Sequence, residues 1–176
     1  NFVQISENFI AHSSGRSMQF YRDRLGRIER ITDGAGREVR YEYDESGAPT
    51  TGNLTAFVNP LEQSTRYEYR AAGHPHHLTD IIDTRGVRIA AMTYQDDGRV
   101  DELCDADGVC FDHDYDLAGQ ILTTFDGLGR PTVRYYNAVG ASAGLVYAEV
   151  DGEGNRTEYD YFNRRLAEVR NAEGER

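Results

Sequence analysis

The sequence predicts an all-β protein in which tandem β-hairpins stack edge to edge into one curved antiparallel sheet. Three observations lead there. An Asp-x-x-Gly phrase recurs in register along the chain, paired tyrosines follow it at a fixed distance, and the composition suits strands and turns rather than helices. Gly (18) and Tyr (12) are plentiful among the 176 residues, Phe adds 7, and Trp is absent. Aromatic residues favour strands and Gly punctuates them.

The anchor positions are Asp33, Asn59, Asp83, Asp105, Asp126, Asp151 and Asn171, spaced 26, 24, 22, 21, 25 and 20 residues apart. Five of them open a full phrase: Asp33/Gly36, Asp83/Gly86, Asp105/Gly108, Asp126/Gly129 and Asp151/Gly154. Asn59 is followed by Glu62 in place of Gly, and Asn171 by Gly174. The chemistry is that of a turn. An Asp side chain bonds backbone two residues on, and Gly accepts a positive φ. Eight and ten residues after an anchor come Tyr41 and Tyr43, Tyr67 and Tyr69, and Tyr159 and Tyr161. Tyr115 and Tyr136 keep the tenth position alone, and Tyr94 falls one residue late.

Each unit therefore reads as strand, turn, strand, turn. Glu38-Val-Arg-Tyr41-Glu-Tyr43 alternates apolar and charged residues, as a half-buried strand does. Asp44-Glu-Ser-Gly47 and Asp116-Leu-Ala-Gly119 make the next turns. Ahead of each anchor stands an apolar pair spaced by three, such as Ile28/Ile31 or Val100/Leu103. A flat strand would put such a pair on opposite faces, so the spacing predicts a bulge or curve. Gly and Asp recur too often for a helix, and helix content should be low.

The organisation is a lead-in over residues 1–14, in part an eroded repeat, then about seven repeats over 15–176, the last incomplete. Gly15 is the turn glycine of a preceding copy, and both ends read as cut from a longer array. Cut ends expose strand edges, so self-association or pairing with the remainder of a longer chain is expected. If compact, a chain of this length buries roughly 70 % of its unfolded surface, enough for a core.

The net charge is −11, with 19 Arg and no Lys. That balance opposes a nucleic-acid groove or an anionic membrane surface, and no apolar run is long enough to span a bilayer. Cys104 and Cys110 lack the C-x2-C grouping of a structural zinc site. They are two reduced thiols or a disulfide stapling one hairpin.

Tyr41-Glu-Tyr43-Asp44-Glu-Ser-Gly47, with Asp33-Gly-Ala-Gly36 ahead of it, resembles the YD repeat of the RHS proteins. Tyr115-Asp116-Leu-Ala-Gly119 carries the motif again, and Tyr94-Gln-Asp-Asp-Gly98 is a close variant. The likeness runs over roughly 15–176. It implies a β-strip that spirals into a hollow shell. In bacterial RHS and toxin-complex proteins such a shell encloses a C-terminal toxin, and in teneurins a related shell belongs to an adhesion ectodomain. The resemblance thus implies a secreted or surface-delivered bacterial scaffold, partnered by the rest of its shell and a toxin domain. It also brings a self-cleaving Asp-Pro-x-Gly centre, which Asn59-Pro-Leu-Glu62 does not match.

No residue is assigned to catalysis, cofactor or metal. Asp112, Asp114 and Asp116 lack the order and terminal Glu of a calcium loop and read as a solvated strand face. His74-Pro-His76-His77 reads as an exposed loop that lacks enough ligands for a metal. His113 with Ser13, Ser14 or Ser142 has no nucleophile motif around it, and Gly34-Ala-Gly36 and Gly127-Leu-Gly129 have no following helix to hold phosphate. Tyr41, Tyr43, Tyr67, Tyr69, Tyr159 and Tyr161 are expected to pack as cross-strand ladders, with contact to a sugar or peptide as the alternative. The leading function is therefore a structural shell segment, and the alternative a carbohydrate- or cell-surface-binding module.

Overall fold

The computed structural model describes residues 2–44 and 52–171. Gly47 and Gly174, both read as turn glycines, lie outside these residues. Sixteen strands follow one another in chain order as one antiparallel sheet without a crossover, and the described residues contain no helix. The chain divides into two compact units, Asn1–Ala91 and Met92–Arg176.

The first unit holds β1 (Val3–Ser6), β2 (Phe9–His12), β3 (Ser17–Arg22), β4 (Ile28–Asp33), β5 (Glu38–Tyr43), β6 (Leu54–Val58), β7 (Ser64–Glu68) and β8 (Asp80–Ile82). β9 (Arg88–Tyr94) carries the division. The second unit holds β10 (Val100–Asp105), β11 (Cys110–Asp116), β12 (Ile121–Phe125), β13 (Pro131–Tyr136), β14 (Val146–Val150), β15 (Arg156–Phe162) and β16 (Arg165–Arg170). Within residues 1–14, β1 and β2 form a hairpin of their own, Val3 facing His12 and Ser6 facing Phe9.

Three of the apolar pairs spaced by three resolve into bulges. Tyr21 faces Arg30 and Arg22 faces Ile28, so Glu29 is the extra residue between Ile28 and Ile31. Thr55 is extra in β6, Tyr147 in β14 and Ala167 in β16, each directly after the first apolar residue of its copy. The added residue returns the second apolar side chain to the face of the first and sharpens the local twist. β12 departs from this: it pairs β11 without a shift. Its second apolar position is occupied by Thr124.

Register sorts the side chains by face, because alternate residues point to opposite sides. In the first unit Val39, Tyr41, Phe57, Thr65, Tyr67 and Ile81 share one face. Arg30, Arg40, Ala56, Val58, Arg66 and Ile82 share the other.

The core is thinner than the chain length leads one to expect. Only Ala56, Val58, Ile82 and Ala148 are buried apolar residues among those described, and none of the larger side chains is fully buried. A single sheet explains this. Each side chain is covered by its neighbours on the same face, and no second layer lies over it in either unit. Leu61, Leu128, Val139 and Phe162 are largely exposed.

Candidate functional site

The conspicuous residues of the repeat are held by one turn geometry. At Asp33 the backbone N–H donates to Arg37 O, and Gly36 N–H donates to Asp33 O, each at 3.0 Å. Asp33 Oδ1 accepts from Ala35 N–H and Arg37 N–H, both at 2.9 Å. Gly36 sits at φ 79°, the left-handed region that costs a side-chain-bearing residue energy. Asp83, Asp105, Asp126 and Asp151 repeat the pattern, accepting from the N–H groups two and four residues on, with Gly86, Gly108, Gly129 and Gly154 at positive φ. Asn59 accepts the same two bonds from Leu61 and Gln63.

Three further turns of this form stand outside the seven anchors, the first of them another Asp-x-x-Gly phrase, Asp23-Arg-Leu-Gly26. Asp23 accepts from Leu25 and Arg27 N–H groups, 10 residues ahead of Asp33. At Gly15 the anchor is His12, whose Nδ1 accepts from Ser14 N–H at 3.0 Å. At Gly98 it is Gln95, whose N–H donates to Arg99 O. The backbone ring is what recurs while the side chain at its head varies; at Gly98 it is Asp97 Oδ1 that accepts from Arg99 N–H.

Two turns differ from expectation. Glu62 takes φ 60° where the other copies have Gly. Its carboxylate is bonded by both terminal nitrogens of Arg40, at 3.1 and 2.5 Å, and these bonds hold its pKa below the usual carboxylate range. After Asp116 the positive φ moves from Gly119 to Gln120, at 55°. Gly119 N–H instead donates to Asp116 Oδ1 at 2.9 Å, and a Cβ on Gly119 would run into that carboxylate.

Five of the six tyrosines face aliphatic or Phe partners across the sheet. Tyr41 pairs Phe57 with rings 5.5 Å apart, Tyr43 faces Leu54, and Tyr67 faces Ile81. Tyr159 faces Val169 and Tyr161 faces Leu166. Two hydroxyls are committed to backbone: Tyr43 Oη donates to Ile28 O at 2.8 Å, and Tyr69 Oη to Leu54 O at 3.0 Å. Both acceptors stand at the residue before a bulge, so the tenth-position Tyr reaches a carbonyl beside a ladder that the bulge has interrupted. Burial pushes the pKa of both phenols up from its ordinary value. The Arg27 guanidinium lies 4.2 Å over the Tyr43 ring. Tyr43→Phe is expected to cost about 1 kcal/mol in urea unfolding, the net worth of one neutral hydrogen bond. Tyr69→Phe, in the same register, should cost the same.

Asp112, Asp114 and Asp116 are exposed along β11. His113 points to the other side of the strand from Asp114, with its ring 6.3 Å from that of Tyr115. Ser14 Oγ lies 2.7 Å from Nδ1 of His12, inside a turn, and Ser13 Oγ accepts from Phe2 N–H. His74 and His77 hold their rings 4.6 Å apart, while Nδ1 of His76 lies 2.7 Å from Asn53 Oδ1. Cys104 and Cys110 face each other across β10 and β11 and form a disulfide.

Residues 22–51 match the family model described as RHS Repeat. They span β4, β5 and the turns at Asp23 and Asp33. These residues carry an RHS repeat. No curated protein matches it. Among solved structures, that of TcdB2-TccC3-TEV is 16 % identical over 93 % of this chain and 10 % of its own, with a TM-score of 0.55. TcdB2-TccC3-Cdc42 is also 16 % identical, over 93 % of this chain and 10 % of that one, at 0.47. The Tc holotoxin pore of Photorhabdus luminescens is 15 % identical over the same shares, at 0.44. The chain spans about a tenth of the length of the solved chains it matches. The first of these likenesses carries the fold: an all-β antiparallel sheet of strands in chain order.

Proposed function

We propose that this chain is a wall segment of an RHS-type β-shell that encloses a toxin or other cargo for delivery out of a bacterial cell. Its part is structural rather than catalytic. The observation that supports this reading best is the shallow core: the strands run on in chain order, yet only four apolar residues are buried among those described. A strip of that kind gains its remaining burial from what lies against it. The fold shared with TcdB2-TccC3-TEV points the same way. The repeat also uses its Asp and Gly in turns, and the hydroxyls of Tyr43 and Tyr69 bond backbone rather than standing free for a sugar.

The partners on this reading are the rest of the shell and its cargo. The edge strand β1, with Val3 and Ile5 exposed, is a template for a further strand. Limited proteolysis of the parent protein tests the proposal. A domain beyond the repeats should resist protease in the native shell and be cut once the shell is opened by mild denaturant. A domain digested as fast in the intact parent as in isolation would overturn it.

A further inference from the structure

The hairpin of β10 and β11 carries a group of side chains that the repeat does not use. Cys104 and Cys110 are direct ladder partners, and the neighbouring bond runs from Asp105 N–H to Val109 O. They therefore occupy a non-hydrogen-bonded pair, where side chains stand closest. Glu102 lies two residues before Cys104, on the same face. One ligand atom from each of Glu102, Cys104 and Cys110 falls within 4.8 Å of the others. All three residues are half-buried, enough to limit their rotamers without closing off solvent.

We propose that reduction of the Cys104–Cys110 disulfide turns this hairpin into a binding site for a zinc-class divalent cation, with Cys104 Sγ, Cys110 Sγ and a Glu102 carboxylate oxygen as ligands. The exchange balances with a thiol reductant. Two RSH molecules break the Sγ–Sγ bond, leave as RS–SR, and put one proton on each cysteine sulfur. The cation then displaces those two protons and binds two thiolates and one carboxylate.

The geometry suits the ion. Zinc takes sulfur at about 2.3 Å and carboxylate oxygen at about 2.0–2.2 Å, so tetrahedral ligands stand roughly 3.3–3.8 Å apart, inside the span already present. The sulfurs need only swing apart from their bonded separation by χ1 rotation while the ladder stays paired. Asp112, opposite Glu102 in register, adds a carboxylate to the same face, and its charge favours a dication over free thiolates. Three protein ligands leave one position of the tetrahedron for water, the pattern of an open rather than a closed site. The disulfide and the cation exclude each other, so the hairpin holds the ion in reducing compartments and the covalent bond in oxidising ones.

Cobalt(II) titration of the full chain tests this, with sheet content followed by circular dichroism. The chain is first reduced anaerobically with a phosphine, which does not compete as a thiol ligand. Thiolate-to-cobalt charge-transfer absorption should saturate at one ion per reduced chain, be displaced by zinc, and be absent from the oxidised chain. Cys104→Ser should lower that absorption sharply. Glu102→Gln should weaken binding by at least the roughly tenfold that loss of an outer-shell partner costs. A reduced chain without the charge-transfer band, equal affinity in Glu102→Gln, or loss of the sheet signal on reduction would each overturn the proposal.

Discussion

Ala148→Leu is expected to destabilise the chain by about 3 kcal/mol, the upper part of the range for forcing extra methylenes into a packed site. Ala148 is 0 % exposed, the most completely buried apolar residue described. It stands in β14 between Tyr135 of β13 and Glu158 of β15, directly after the bulged residue Tyr147. The Tyr135 ring lies 6.1 Å from the Tyr147 ring and 5.4 Å from the Arg156 guanidinium. A methyl group fits among these groups, whereas an isobutyl group must displace one of them. Urea unfolding should show a lower midpoint with an unchanged slope, since the surface exposed on unfolding barely alters. A loss below about 0.5 kcal/mol would mean that the cover over Ala148 moves aside freely.

Much of this architecture is legible in the sequence because it is local. A turn closed by bonds between residues i and i+4 needs only five residues, so Asp33-Gly-Ala-Gly36 declares itself. The bulges are legible for a related reason: Ile28 and Ile31 cannot share a face without one extra residue between them. His12 and Gln95 were not legible as anchors, because the letters change while the backbone ring persists. The destination of the Tyr43 hydroxyl, 15 residues back at Ile28, depends on register across two strands, which no local pattern states. The shallow core was also out of reach. Alternation tells which residues face one way, and not whether a second layer lies against them. For the cysteines, spacing left two chemical states open, and their opposition across β10 and β11 makes the disulfide possible. Glu102 gains meaning only from that pairing, since sequence alone places it as one more acidic residue among many.

Acid is expected to unfold the chain through its carboxylates, and Asp80 should carry a measurable share. Asp80 is 4 % exposed. Its oxygens accept from Arg70 at 2.7 Å and from Arg88 at 3.3 Å. Burial pushes its pKa up, but the bonds from Arg70, Thr79 and Arg88 outweigh that and hold the carboxyl below the usual range. Asp126 and Asp151 are lowered by the side chains of Arg130 and Asn155, and Asp33 by the backbone N–H of Arg37. A carboxyl with a depressed folded value stabilises fully above its unfolded value, about 4, and loses that contribution as pH falls through the folded value. Stability should therefore be level from neutrality to about pH 5 and decline from about pH 4 downward. At neutral pH Asp80→Ala should cost about 2 kcal/mol, within the range for hydrogen bonds to charged groups. The larger penalty of stranding a buried charge does not apply, because both arginines remain mostly exposed and can return to water. The penalty should shrink as the pH drops and the native carboxyl is protonated. Urea unfolding of both chains across acidic pH measures it. A penalty that stays constant with pH would assign Asp80 a packing role and remove it from the acid response.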